Sequence, residues 1–199
     1  MTYAARLEKA LKKELPGKVS FFRDWRKVRT SRWKGAKARP VGLMIHHTAA
    51  AATDSTDVRA KGNQKGANNG VINYIQSHQR VPAANFTLDR DGTVYVHSAY
   101  PVWHAGVGSF KGKKPWASLG IPDDMANSYV LGVEVMSKGV KKDFTAAQKA
   151  SLGALIRACA AATAFEWKPL WLVNRPQHKD WTDRKVDTRY TNDEIKAWI

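Results

Sequence analysis

Two short apolar runs constrain the fold of this chain most. VGLMIHH at 41–47 and YVLGVEVM at 129–136 are compact and apolar, which is typical of strands buried on both faces. Between them, two alternating stretches in Asn85–His97 flank Asp91 and Gly92, a pair that predicts a β-hairpin with a two-residue turn. Because helical segments are interspersed with these strands, we expect a single α/β sandwich.

The predicted helices begin at the N-terminus. Apolar residues recur there every fourth position among Lys and Arg until Pro16, which predicts a short amphipathic basic helix; they are Tyr3, Leu7, Leu11 and Leu15. Further helices are predicted around 70–78, over 145–165 and over 191–199, and a short strand over 170–173. Loops are predicted over 49–70 and 105–127. A loop as long as 105–127 inside a compact domain usually lines a site.

The charge of the chain is unevenly distributed. Of a net +16, residues 1–40 carry 13 basic and 3 acidic side chains, whereas residues 41–199 carry 20 and 14. A basic block of this kind favours a polyanionic partner, which can be nucleic acid, anionic lipid or the acidic polymers of a cell wall. The sign of the charge alone does not choose among them.

Several classes of protein are excluded by what the sequence lacks. A single cysteine rules out an internal disulfide framework and a Cys-rich zinc finger. Cys159 lies in the Ala-rich stretch LIRACAAATA, so we expect a buried thiol rather than a nucleophile. The charged N-terminus does not fit a secretory signal, and no stretch approaches the roughly 20 apolar residues of a membrane span. HExxH, P-loop and GxSxG motifs do not occur.

The histidines suggest a metal site. His46 ends the first apolar run, while His178 and Asp187 lie nine residues apart on a polar stretch that also holds Lys185. A loop can bring His178 and Asp187 to one metal ion. Two imidazoles with one carboxylate leave zinc an open position for water. The spacing alone is a weak signal, and a structural histidine at the strand end is the alternative.

Glu134 is the only charge in an otherwise apolar strand. A buried carboxylate is costly unless it is paired or functional, and burial would raise its pKa towards that of a proton shuttle. A salt bridge to Arg or Lys is the alternative interpretation.

Five motifs occur in a characteristic order, namely LMIHHTA, ANFTLDRDGTVYVHSA, VWHAGVG, LGVEV and QHKDW…KVD. Together they resemble the zinc-dependent N-acetylmuramoyl-L-alanine amidases of type 2, which share a fold with animal peptidoglycan recognition proteins. The first and last motifs look most like phage endolysins of actinobacterial hosts. The resemblance implies a central mixed β-sheet flanked by helices, with a catalytic domain at 40–199 preceded by a basic and aromatic extension at 1–39.

The resemblance also assigns roles to residues. The implied ligands of one zinc ion are His46, His178 and Asp187. Ala84 stands where some members of the family have a catalytic tyrosine, and Glu134 matches the carboxylate that the tyrosine-lacking branch uses instead. Lys185 matches a lysine near the metal and would stabilise the oxyanion. Trp103 and His104 are expected to line the substrate groove, although a structural role for His104 stays open.

His47 and Asn85 are weaker candidates for substrate contact, and we expect His78 and His97 to be surface or structural residues. The implied activity is hydrolysis of the amide bond between N-acetylmuramic acid and L-alanine in bacterial peptidoglycan. We expect a monomer without a membrane span, made in the host cytoplasm without a signal peptide and acting on the wall after release. Alternatives are a cytoplasmic muropeptide-recycling amidase, a non-catalytic peptidoglycan-binding module and, least favoured, a nucleic-acid-binding protein.

Overall fold

The computed structural model of the chain describes residues 1–29, 40–49, 70–77, 81–113, 116–163, 177–185 and 187–199. The helices and strands in chain order are α1 (Tyr3–Glu14), β1 (Val19–Phe21), β2 (Gly42–His47), α2 (Gly70–Ser77), β3 (Phe86–Leu88), β4 (Val94–Val96), α3 (Ala126–Tyr129), β5 (Val130–Val135), α4 (Ala146–Ala162), α5 (His178–Trp181) and α6 (Asn192–Lys196). A short 3₁₀ helix at Trp116–Leu119 interrupts the predicted long loop. The predicted strand over 170–173, His78 and most of the predicted loop over 49–70 lie outside the described residues.

The described strands form one mixed sheet in the order β1-β4-β3-β5-β2. Strand β5 runs parallel to both of its neighbours, β3 and β2, while β3 and β4 are antiparallel and β1 is parallel to β4. The predicted single domain with a central mixed sheet and flanking helices is therefore confirmed. Strand β2 is buried along its whole length although it is the last strand in this order, and Ile45 also forms a bridge to Gln177 ahead of α5.

The predicted hairpin is present, but its turn has three residues rather than two. Asp89 still pairs with Thr93, since the Asp89 amide donates to the Thr93 carbonyl at 2.9 Å, so the turn comprises residues 90–92. The Gly92 amide donates to the Asp89 carbonyl at 3.0 Å, and Gly92 has a φ of 87°. A type I turn followed by a left-handed residue is the usual three-residue hairpin loop, and it selects glycine at that last position.

The N-terminal segment belongs to the same core as the rest of the chain. Leu7 and Leu11 of α1 are completely buried in the cluster that contains α4 and the inner strands. The Glu14 carboxylate also accepts from Arg157 of α4 at 2.8 Å, and β1 extends the sheet beside β4. The predicted boundary after residue 39 therefore does not separate the described part of this segment from the packed core, and its separate function stays a prediction.

Helix α4 covers the sheet on the same side as α1. Its N-terminus is closed by the reciprocal capping box of Thr145 and Gln148, and eleven of its residues are buried. Cys159 is one of them, so the expectation of a buried thiol is confirmed. Burial raises the pKa of this thiol far above its usual value, which leaves it a poor nucleophile.

The two faces of the sheet have different roles. Adjacent residues of a strand point to opposite faces, so Ile45 and Val133 join the cluster under α1 and α4, while His46 and Glu134 point to the other face. His46 and Glu134 are direct neighbours in the parallel register of β2 and β5. The polar ends of these two strands thus place an imidazole and a carboxyl group side by side. No helix in the described part of the chain is long and apolar enough to cross a membrane.

Candidate metal centre

Three polar side chains meet beyond the end of β2. The Nδ1 atoms of His46 and His178 are 3.0 Å apart, and the Asp187 Oδ2 atom lies 3.2 Å from His178 Nδ1 and 3.7 Å from His46 Nδ1. All three residues are buried, and their potential ligand atoms lie within 4.8 Å of one another. The structure therefore brings together the three residues that the sequence suggested, from the end of β2, the start of α5 and the loop before α6.

The outer ring nitrogens of both histidines are engaged by the protein. His178 Nε2 lies 2.9 Å from the carbonyl oxygen of Ala105, which can only accept, so this nitrogen carries the proton. His46 Nε2 lies 3.1 Å from His104 Nδ1, and His104 Nε2 lies 3.0 Å from the carbonyl oxygen of Val130. Tautomers assigned from these partners leave the Nδ1 lone pairs of His46 and His178 directed at the cluster.

Such a donor set fits a divalent cation. Burial lowers the pKa of His46 to about 4, so this imidazole is neutral at pH 7. Burial raises the pKa of the Asp187 carboxyl, but the neighbouring imidazoles of His178 and His46 lower it by more, and the group is ionised. Two lone pairs and a carboxylate oxygen at these separations repel one another unless a cation lies between them. Two imidazoles and one carboxylate are a usual ligand set of catalytic zinc, and each imidazole has the outer hydrogen bond that metal-ligating histidines make.

His47 contacts the same carboxylate from its other side. Its Nε2 atom lies 3.3 Å from Asp187 Oδ1, and its ring packs so closely on Gly139 that a Cβ there would come within 2.3 Å of Nε2. Burial lowers the pKa of His47 as well. The His47 ring is thus buried with Nε2 directed at Asp187, and its contact with substrate stays a prediction.

The segment that carries His178 is tied to the segment that carries Asp187. The Gln177 side chain accepts from the Thr188 amide at 2.8 Å and donates to the Tyr190 carbonyl at 3.1 Å. Lys179 donates to the Thr188 carbonyl at 2.6 Å and, like Gln177, to the Tyr190 carbonyl, at 2.9 Å. The sequence analysis did not single out Gln177 or Lys179. Their positions on either side of His178 in QHKDW could have suggested that they support this ligand.

Glu134 lies beside His46 and has an unsatisfied oxygen. Its Oε2 atom is buried and has no hydrogen-bond partner among the described residues. Burial raises the pKa of this carboxyl to about 8; the negative charge of Asp187 adds to the rise and Lys185 opposes it. Within the described ranges Glu134 makes no salt bridge, so the structure does not support the ion-pair interpretation.

A cleft of about 280 Å³ opens beside the cluster. Its lining includes His104, His178 and the exposed Lys185, together with Thr182 and Arg184. His104 lines this cleft and both of its ring nitrogens are engaged within the protein, while its contact with substrate stays a prediction. Lys185 is exposed to solvent where it lines the cleft, and its role towards substrate stays a prediction.

Two other candidates for the substrate groove have different positions. Asn85 is completely buried, and its side chain bonds only to backbone: it donates to the carbonyls of Ser98 and Tyr100 and accepts from the Gly132 amide. Asn85 thus has no surface exposed towards the cleft in this structure, and its contact with substrate stays a prediction. Trp103 is half-buried and is not among the described residues that line the cleft.

His97 has a structural position, as expected. It is completely buried, it bonds to Thr87 and Gln76 at 2.8 and 2.7 Å, and its ring stacks on Phe22. Burial lowers its pKa to about 3, so the imidazole is neutral.

Comparisons with known proteins agree with this architecture. A crystal structure of a selenomethionine AmpD derivative superposes with a TM-score of 0.60 at 19% identity, covering 94% of this chain and 97% of that chain, which shows the same fold. Two amidases of Clostridium intestinale URNW are also similar. The endolysin LysCS has a TM-score of 0.49 and 18% identity, with 90% of this chain and 93% of that chain covered. LysC has a TM-score of 0.48 and 20% identity, with 90% of this chain and 95% of that chain covered. No curated protein sequence matches significantly. The family profile described as N-acetylmuramoyl-L-alanine amidase matches residues 36–190, a segment that contains all five motifs and the whole metal cluster, and the chain therefore belongs to the N-acetylmuramoyl-L-alanine amidase family.

Proposed function

We propose that this protein hydrolyses the amide bond between N-acetylmuramic acid and the L-alanine of the peptidoglycan stem, with one zinc ion held by His46, His178 and Asp187. The observation that carries the proposal is the convergence of two Nδ1 lone pairs and a carboxylate oxygen next to the unsatisfied carboxyl of Glu134. When bound, zinc would polarise the scissile carbonyl and lower the pKa of water from 15.7 to about 7. The same cluster would have no function in a module that only binds peptidoglycan.

Glu134 is the residue best placed to move a proton. It neighbours His46 in the sheet register, and its Oε2 atom has no partner among the described residues. A cation held by the cluster would lower the pKa of Glu134 and favour its carboxylate form, which can take a proton from the attacking water and deliver it to the departing L-alanine amine. Lys185, at the mouth of the cleft, carries the positive charge that would stabilise the oxyanion.

The direct test combines metal analysis with identification of the wall fragments. Purified protein should contain about one zinc per chain, the count expected of a mononuclear catalytic site, and should release fragments with new N-terminal alanine from intact wall. EDTA should abolish this release and added zinc should restore it. Fragments with new reducing sugar ends, or clearing that survives complete metal removal, would contradict the proposal.

We further propose that the substrate is the intact wall, as for a phage endolysin, rather than a soluble muropeptide. The observation that favours the wall is a basic surface on α1 and the turn that follows β1. Lys9, Lys13 and Lys27 are exposed there, without a salt-bridge partner in the described part of the chain. An ion pair between Arg26 and Glu8 joins the turn to the helix, so the charges form one surface.

This basic surface and the metal cluster belong to opposite sides of the sheet. Helix α1 packs into the core cluster with Ile45, whereas His46 points the other way. A polyanion bound along α1 would therefore leave the cleft free, and anionic wall polymers would hold the enzyme near its substrate. Recycling of small soluble fragments would gain nothing from such a surface.

Charge neutralisation tests this role better than deletion, because deletion would also remove Leu7 and Leu11 from the core. A triple variant of Lys9, Lys13 and Lys27 to Gln should bind wall less tightly and with a weaker salt dependence, and should hydrolyse a soluble muropeptide normally. The matched control neutralises the exposed Lys138, Lys141 and Lys196, which changes the net charge equally.

Equal wall binding by the two triple variants would contradict a specific basic surface. Faster turnover of soluble muropeptide than of intact wall by the unmodified protein would favour the recycling alternative.

A further inference from the structure

The His104–Ala105 dipeptide contacts both histidines of the metal centre through the ring nitrogens that do not face the cluster. The side chain of His104 meets His46 Nε2 at 3.1 Å, and the carbonyl oxygen of Ala105 meets His178 Nε2 at 2.9 Å. These two adjacent loop residues therefore determine the tautomer and orientation of both imidazoles, although neither of them is a proposed metal ligand.

The direction of these hydrogen bonds follows from the backbone. The Val130 carbonyl can only accept, so His104 Nε2 donates to it at 3.0 Å. A neutral imidazole has one proton, so His104 Nδ1 must accept, and His46 Nε2 must donate to it. His46 is thereby left with its lone pair on Nδ1, the atom that faces His178 and Asp187. Replacing His104 by a group that cannot accept would remove this constraint on the tautomer of His46.

The dipeptide itself is rigidly held. The Asn127 Oδ1 atom accepts from the backbone amides of both His104 and Ala105, each at 2.7 Å. The ring of His104 lies against the backbone of β5, where a Cβ on Gly132 would come within 2.5 Å of its Cγ atom. These contacts leave the ring little freedom to rotate, so its acceptor stays aligned with His46.

We propose that His104 is a positioning residue, which selects the tautomer and orientation of His46 and so sets the metal affinity of the site. The proposal rests on the zinc site proposed above, and the substrate contact expected from the sequence stays a separate prediction. Loss of such a partner behind a ligand typically weakens metal binding about 10–100-fold.

The test compares zinc dissociation constants, measured by chelator competition on the full chain. His104→Phe keeps a flat ring against Gly132 but offers no acceptor, and it should weaken zinc binding about 10–100-fold. His104→Asn is the matched control, because its side-chain oxygen lies near the position of Nδ1 and can still accept from His46; it should recover most of the affinity. If the ring had a purely structural role, His104→Phe would bind zinc more tightly than His104→Asn.

A second measurement needs no variant. Long-range ¹H–¹⁵N spectra of the zinc-loaded protein should show His46 protonated on Nε2 and metallated on Nδ1. Metallation of His46 through Nε2, or a folded His104→Phe protein with unchanged zinc affinity, would overturn the role of His104 while leaving the proposed function intact. Failure of the unmodified protein to bind zinc would overturn the proposed function, and with it this inference.

Discussion

Replacing Glu134 by Gln should stabilise the metal-free protein while it removes most of the activity. Burial raises the pKa of this carboxyl from 4.5 to about 8. Below about pH 4.5 both the folded and the unfolded chain hold the proton, so Glu134 makes no pH-dependent contribution there. As the pH rises above 4.5, only the unfolded state releases the proton, and the folded state loses stability relative to it.

The loss of folding stability can be calculated from the number of pH units between the unfolded pKa and pH 7. Between pH 4.5 and pH 7 the loss amounts to about 1.4 kcal/mol per pH unit, or about 3 kcal/mol in total. Gln has nearly the same shape and no charge, so Glu134→Gln should recover up to about 3 kcal/mol at pH 7 and almost nothing at pH 4.5. The same change removes the proposed proton carrier and should lower turnover about 10²–10⁴-fold.

Urea unfolding of both proteins in EDTA at several pH values measures this difference, because contributions from the groups that do not interact with Glu134 cancel. Glu194 provides a control of opposite sign, since hydrogen bonding to Lys142 lowers its pKa from 4.5 to about 2. Glu194→Gln should destabilise the protein slightly above pH 4.5, because the ion pair is screened by solvent, and the difference should vanish as the pH falls towards 2. A Glu134→Gln protein that is less stable at pH 7, or a stability difference independent of pH, would refute the reasoning. Either result would make Glu134 a charged structural partner.

Three further outcomes are expected. His178→Ala should lose both zinc and lysis, as measured by metal analysis and wall turbidity, and substantial residual lysis would remove His178 from the metal site. Leu11→Ala should destabilise the protein by about 2–5 kcal/mol in urea unfolding, because this side chain is completely buried between α1 and the core; an unchanged stability would show that α1 is dispensable. Gln177→Ala should lower the free energy of unfolding by about 1–3 kcal/mol, because it leaves the buried Thr188 amide without a hydrogen-bond partner. The same variant should bind zinc less tightly. Unaltered zinc affinity would contradict the role of Gln177 in holding His178 beside Asp187.

Short-range sequence patterns predicted the helices and strands that depend mainly on interactions between residues close in sequence. The four-residue repeat of α1, the helices predicted over 145–165 and 191–199 and the apolar runs of β2 and β5 are all observed. Strand β1 was not predicted, because a three-residue strand has too short a pattern to recognise and is stabilised by pairing with β4 about 75 residues away. The hairpin turn was one residue longer than predicted, since Asp89 and Thr93 pair beyond the strands proper.

Within the site, the sequence by itself determined the chemical types: two imidazoles and a carboxylate able to hold a metal, and one carboxyl group in an apolar strand. Tertiary structure decided what each side chain does. His47 and Asn85 stand next to plausible site residues in the sequence, yet packing directs one to Asp187 and encloses the other in backbone hydrogen bonds. His104 acts on His46 from 58 positions away, through a tautomer set by the Val130 carbonyl. Hydrogen-bond direction depends on which acceptor lies within about 3 Å, and only the folded chain brings such distant groups that close.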